Sequence, residues 1–293
     1  MSNDLLCRIC PRQCGANRVI SLGFCGVGHT LKVARAAPHF GEEPCISGKN
    51  GSGAVFFSGC NLGCVYCQNE SISRGKLGKE ISVDELKNIY TSLISQGVHN
   101  INLVTPCHFR DAVAESLSDP LPVPVICNTG GYDSIETVAA FEGKVDVYLP
   151  DYKYSNDDVA KKYSGASNYP KVALEAIRAM IDSVKPLEFD ENGMIKSGVI
   201  IRHLMLPNEL ENTLGCIEAV AELPKNKVML SLMSQYTPVC GSDKYENLGR
   251  RITEEEYRLA MDYVHLCGIK RGYFQSPESA IKTHIPAFDL TGV

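Results

Sequence analysis

Six short β-rich runs, each followed by a longer amphipathic stretch, limit this chain to a sheet of parallel strands joined by right-handed helical crossovers. The runs are residues 54–58, 101–104, 123–127, 145–149, 199–205 and 228–232. Helical patterns with clear starts lie between them. Ser82-Val-Asp-Glu85 reads as a capping box before Leu86, Ile89 and Leu93, with Gly97 as the stop. Leu174, Ile177, Ile181 and Val184 form an apolar stripe, and Thr253 to Glu256 caps a last helix carrying Tyr257, Met261 and Val264. An open doubly wound sheet and a partial barrel both satisfy this α/β pattern, and periodicity does not choose between them. In either, chemistry sits at the strand C-termini. The first fifty residues show little periodicity. They are expected to form an irregular Cys-rich segment, 1–50, ahead of an α/β unit, 51–293.

Of 293 residues, 44% are apolar and 22% charged, enough for a sizeable core, and the net charge of −5 argues against a general nucleic-acid or anionic-membrane binder. No apolar run approaches the roughly 18 residues that would span a bilayer. The start, MSNDLLCRICPR, has no secretory pattern, so a cytoplasmic location is expected. Thirteen cysteines then become informative, because eight fall in the first 67 residues. In a reducing compartment, clustered cysteines bind metal or do redox work.

Directly after the first β-rich run comes Gly59-Cys60-Asn-Leu-Gly-Cys64-Val-Tyr66-Cys67, a C-x3-C-x2-C spacing. Three thiolates on one tight loop suit a cubane iron–sulfur cluster with one iron left open to a ligand. The plain alternative is a zinc site completed by a distant fourth ligand. This loop, with Tyr66 in the aromatic slot, resembles the signature of the radical S-adenosylmethionine superfamily. The longer string from Glu43-Pro44 to Gln68-Asn69, and Pro286-Ala-Phe-Asp289 near the end, is similar to uncharacterised relatives of pyruvate formate-lyase-activating enzyme. The resemblance implies a partial (β/α)6 TIM-like barrel, a 4Fe-4S cluster on Cys60, Cys64 and Cys67, and S-adenosylmethionine as cofactor. It also implies a flavodoxin or ferredoxin-type electron donor. One-electron cleavage of the sulfonium would give a 5′-deoxyadenosyl radical that takes hydrogen from a substrate.

The strand ends supply the nucleotide-site candidates. Asn128-Thr129-Gly-Gly resembles an Asp-Thr-Asn-Gly turn of glycyl-radical activating enzymes, with Asn in place of the leading Asp. Asp151-Tyr-Lys153 resembles their Asp-x-Lys, Arg202 matches the position of a family arginine, and Gln235 ends the sixth strand. Each has a plainer reading: a surface ion pair for Asp151 and Lys153, a structural ion for Arg202, a tight turn for Gly130-Gly131, a core residue for His203. The Gly-Gly-Glu that many members place after the second strand is absent. Thr105-Pro-Cys-His108 stands there, so Thr105 or His108 substitutes for the acid, backbone carbonyls do, or the segment is only a turn.

Cys7, Cys10, Cys14 and Cys25 make a second ligand set, for which zinc, another iron–sulfur cluster or no metal at all remain open. Cys45, Cys107 and Cys127 would reach the site mouth or serve as small core residues. Glycyl-radical activation of a partner protein leads the substrate expectations, followed by radical modification of a peptide or small molecule. A non-catalytic iron–sulfur electron carrier is the reading from another class.

Overall fold

The computed structural model describes residues 6–239, 241–276 and 286–293. The first five residues, part of the stretch read for an export signal, lie outside them. The strands are β1 Leu31–His39, β2 Ser52–Phe57, β3 Lys79–Ile81, β4 Ile101–Val104, β5 Val125–Thr129, β6 Val147–Pro150, β7 Glu188–Phe189, β8 Ile195–Leu204, β9 Val228–Met233 and β10 Gly272–Phe274. The helices are α1 Pro44–Ser47, α2 Glu70–Ser73, α3 Val83–Ser95, α4 Arg110–Ser116, α5 Ile135–Ala140, α6 Asp157–Ser164, α7 Tyr169–Ser183, α8 Leu210–Ala221 and α9 Glu254–Leu266.

The sheet runs in the order β10-β9-β8-β6-β5-β4-β2-β1-β3. From β2 to β10 the neighbours are parallel; β1 is antiparallel to both β2 and β3, and β7 is antiparallel to β8. The path has two ends, so this is an open, TIM-like partial barrel. The six expected β-rich runs are β2, β4, β5, β6, β8 and β9, with boundaries moved by up to four residues. The capping boxes at Ser82 and Thr253 both form.

One expectation fails within the first fifty residues. Residues 6–30 contain no strand or helix, but 31–39 form β1 and join the sheet. The run Leu-Lys-Val-Ala-Arg-Ala-Ala-Pro-His hides its pattern behind small residues and a register shift between Val33 and Arg35, which moves the buried positions off strict alternation. Residues 286–293 return to this strand: Leu290 N–H donates to Ala34 O (3.2 Å), Ala36 N–H to Thr291 O (2.9 Å), and Arg35 pairs with Asp289 at 2.8 Å.

Side chains on a strand alternate between faces. On β5, β6 and β8, Val125, Cys127, Tyr148, Val199 and Ile201 belong to the large core shared with the helices. Ile126, Val147, Leu149, Ile200 and Met229 turn to the inner face and pack with Cys45 and Ile46 of α1. The short helix α1 thus plugs one end of the inner face, and strand C-termini open at the other.

Candidate active site

Moving two residues along each strand keeps the same face, and here the inner face changes from apolar to polar in that one step. Ile126 is followed by Asn128, Leu149 by Asp151, Ile200 by Arg202 and Met229 by Ser231. This places a ring of polar side chains above the apolar floor, at the C-terminal end.

Arg202 is its hub. Its Nε donates to Asp151 Oδ1 (3.0 Å), Nη1 to Glu42 Oε2 (3.0 Å) and Nη2 to Asn128 Oδ1 (2.6 Å). Lys153 Nζ donates to the other Asp151 oxygen at 2.5 Å. Asn128 and Asn102 amides both donate to Glu42 Oε1, at 3.1 and 3.0 Å. The side chains of Arg202, Asp151, Lys153 and Glu42 are 15, 15, 16 and 9% exposed, which rules out the surface-pair reading of Asp151 and Lys153. Burial alone would raise the Asp151 carboxyl, but Lys153 and Arg202 outweigh it and hold it below the usual carboxylate range. Burial opposes charge on Lys153 and Arg202 as well; their carboxylate neighbours keep both above their ordinary values. Glu43, fully buried, has its carboxyl raised by burial against the pull of Arg202.

Glu42 escaped sequence reading. It lies on the connection between β1 and α1, and reaches Arg202 across 160 positions of sequence. The only local hint was its place in Gly41-Glu42-Glu43-Pro44.

The Cys60–Cys67 loop leaves β2 through Gly59, whose φ of +90° suits glycine, and where a Cβ would stand 2.8 Å from Cys25 O. Cys60, Cys64 and Cys67 line a cavity of about 150 Å³ together with Thr105, Asn128, Thr129, Asp151, Lys153 and Arg202. Cys64, Cys67, Asn128, Asp151, Lys153 and Arg202 also line a second cavity of about 250 Å³ with Glu42, Tyr66, Gln235 and Pro286. Cys60, Cys64, Cys67, Tyr66, Thr105, Asn128, Thr129, Asp151, Lys153, Arg202 and Gln235, all singled out in the sequence, therefore each line one or both of two spaces that share walls. Burial raises the thiols of Cys60 and Cys67, with the neighbouring Cys64 adding to it and Lys153 opposing it.

Supporting contacts differ among the candidates. Tyr66 is buried and shares a 2.6 Å hydrogen bond with Tyr154, whose hydroxyl shares one of 2.7 Å with Ser164; Ser164 Oγ donates to Cys64 Sγ at 2.9 Å. Thr129 Oγ1 donates to Asp133 and accepts from Gly131 N–H at 3.1 Å, so its hydroxyl is spent closing the turn after β5. Thr105 holds φ +59°, a strained setting for a β-branched residue, and its N–H donates to Asn128 O at 2.7 Å. His108 turns away: its ring Nε2 donates to Ser58 O at 2.8 Å, and it lines a separate cavity of about 650 Å³. His203 is a satisfied core histidine, bonded to Tyr152 O (2.8 Å) and Thr213 Oγ1 (3.1 Å). Cys45, Cys107 and Cys127 are buried and line neither space.

Among the described residues, no group of three or more His, Cys, Asp or Glu side chains is arranged around a single metal ion. A cubane is held at its corners by ligands spread round it, so this does not weigh against the Cys60–Cys67 loop. The chemistry of the donor set fits a cluster with a zwitterion beside it: three thiols, then paired cations and carboxylates that match an ammonium and a carboxylate. Asn102 Oδ1, Ser231 Oγ and Glu43 Oε2 are buried without partners at this end of the inner face.

Residues 54–214 match the family model described as Radical SAM superfamily. The chain is 29% identical over 269 residues to Uncharacterized protein MJ0674 of Methanocaldococcus jannaschii, across 87% of this chain and 73% of that protein. Its fold is similar to that of HydG, a maturase of the FeFe-hydrogenase, with a TM-score of 0.51, 12% identity, and coverage of 73% of this chain and 49% of that one. A structure of Streptococcus suis SuiB bound to S-adenosylmethionine aligns with a TM-score of 0.49 and 12% identity, across 76% of this chain and 50% of that one. The chain spans about half the length of the HydG and SuiB chains it matches.

Proposed function

The chain belongs to the radical S-adenosylmethionine superfamily, and from that membership we propose that Cys60, Cys64 and Cys67 hold a 4Fe-4S cluster beside a cofactor site built on Arg202. When bound, the cluster and S-adenosylmethionine supply a reductive cleavage that yields a 5′-deoxyadenosyl radical. This chain's residues bind and orient. Lys153 and Arg202 offer cations for the methionyl carboxylate, while Glu42, Asp151 and Asn128 offer oxygens for the amino group. Thr105, Thr129 and Tyr66 shape the walls nearest the thiols, and Gln235 lies where a nucleoside would extend. The substrate enters on the side lined by Leu204, Met233, Gln235 and Pro286.

The observation that carries this reading is that all three thiols line one cavity with Asn128, Asp151, Lys153 and Arg202. Hydrogen abstraction from a peptide, protein segment or small molecule follows from it. Glycyl-radical activation is one such case. A ferredoxin-type cysteine insert after the cluster loop would have supported it, and residues 68–106 contain no cysteine. A flavodoxin or ferredoxin-type donor and a reducing, cytoplasmic compartment belong to the proposal. Among the described residues no helix is long and apolar enough to cross a membrane.

The test is anaerobic reconstitution, reduction with dithionite and quantification of 5′-deoxyadenosine. Wild type is expected to form it and Cys64→Ala to form none. An intact, reduced four-iron cluster that binds S-adenosylmethionine but yields no nucleoside, with or without candidate substrates, would favour the electron-carrier reading instead.

A further inference from the structure

The site just described leaves unused the four cysteines of residues 6–30. We propose that Cys7, Cys10, Cys14 and Cys25 form a second metal centre, a four-thiolate site for zinc or an iron–sulfur cluster, which braces the Cys60–Cys67 loop from outside.

Three observations carry this. First, two of the thiols, Cys14 and Cys25, border one space. A Cβ on Gly23 would stand 3.2 Å from Cys25 Sγ and 3.7 Å from Cys14 Sγ, so glycine there keeps clear the space that both sulfurs border.

Second, the backbone is already folded round them. Gln13 N–H donates to Cys10 O (2.9 Å), Gly15 N–H to Cys7 O (3.1 Å), Cys7 N–H to Ala16 O (2.9 Å) and Gly26 N–H to Gly23 O (2.9 Å). These turns gather four ligand positions in a segment with no strand, no helix and exposed Val19, Ile20, Leu22 and Phe24. A segment that buries so little apolar surface is held by a few hydrogen bonds, and thiolate ligation to a metal is a cross-link that would reinforce them in a reducing compartment. The four thiols do not yet surround one ion, and neither do Cys60, Cys64 and Cys67. Ligation would require the sulfurs to draw together on the backbone frame just described.

Third, this segment touches the first site directly. Cys60 N–H donates to Cys25 O at 3.2 Å. Arg12, between Cys10 and Cys14, donates to Asn61 O at 2.8 Å, to Ser164 O at 2.9 Å and to Gly165 O. Fixing Cys10, Cys14 and Cys25 therefore fixes both the carbonyl that holds Cys60 and the guanidinium that holds its neighbour.

Metal counting tests this independently of any radical chemistry. The full chain with Cys60, Cys64 and Cys67 all changed to alanine is purified anaerobically, and zinc, iron and acid-labile sulfide are measured per chain. The proposal expects retained metal: zinc without sulfide identifies the mononuclear centre, and iron with matching sulfide identifies the cluster. Adding Cys10→Ser should bring either to background. A folded triple variant that carries no zinc or iron, even after incubation with each, overturns the proposal. In unsubstituted protein, alkylation followed by peptide mapping should leave Cys7, Cys10, Cys14 and Cys25 protected until a chelator is added. Immediate labelling of the exposed Cys14 in metal-replete protein would also overturn it.

Discussion

The sheet body and the segment of residues 6–30 are ordered by different forces. Strands β4, β5 and β6 are buried along their whole length, and helices cover their outer face. Their order comes from the removal of apolar surface from water, a term that scales with area and tolerates small rearrangements. The segment instead hangs on arginines and carbonyls. Besides Arg12, the buried Arg18 donates to His108 O (2.6 Å) and Gly28 O (3.0 Å), and Ser134 Oγ donates to Ile9 O at 2.9 Å. A structure held by a few directional bonds is lost when one of them is lost. The contrast predicts broad, graded losses for changes in the body and local, sharp ones at the seam.

The largest effect is expected where the body itself depends on a charge. Arg202→Met leaves Glu42 buried without a cation and Asp151 with Lys153 alone, and should cost about 3–5 kcal/mol of stability. Denaturant titration measures it; a loss below about 1 kcal/mol would show that the ring is wetter than its burial implies. Acid comes next. His108 and His203 are held neutral by burial, each lowered to about 4. The unfolded chain binds their protons first, so stability is full above about pH 6.5 and falls as pH drops toward 4. The expected loss at pH 5 is about 2 kcal/mol per histidine. His203→Gln should flatten that pH slope, and an unchanged slope would mean carboxylates dominate it.

Arg12→Ala should cost about 2 kcal/mol, confined to the seam. Hydrogen exchange is expected to quicken in residues 6–30 and in the cluster loop, with the slowest amides of β5 and β6 unchanged. A uniform quickening would erase the proposed distinction between the two regions. The smallest effect concerns Ser164, whose hydroxyl points at Cys64 Sγ. In the reconstituted protein Ser164→Ala removes one donor, worth about 1 kcal/mol, and should lower the cluster's reduction potential by an amount on the order of tens of millivolts. No shift would mean the hydroxyl turns away once the cluster is in place.

Much of the body was legible because its signals are local. The six β-rich runs, the capping boxes at Ser82 and Thr253 and the Cys60–Cys67 spacing each occupy one short window of sequence. Asn128, Asp151 and Arg202 could be found because each stands on or just after a β-rich run, in a string resembling those of glycyl-radical activating enzymes. What escaped is defined by distant partners. Strand β1 is visible only against β2, since Arg35, Pro38 and a register shift obscure its alternation. Glu42 gains meaning only from Arg202, on a strand laid beside it by the fold. His108 misled by position: it follows β4 as a ligand would, yet its ring turns to Ser58.

The reach of Arg12 has a consequence for how this protein is made. Synthesis proceeds from the N-terminus, and two of the three carbonyls that Arg12 binds belong to Ser164 and Gly165. Until that part of the chain has left the ribosome, Arg12 has only Asn61 O of its three acceptors, although all the thiols of the Cys60–Cys67 loop have been made. The nascent chain therefore passes through an interval in which its thiols exist but two of the three bonds of Arg12 do not. If the loop takes up iron as proposed, iron arriving in that interval would meet a loop less firmly held than iron arriving later.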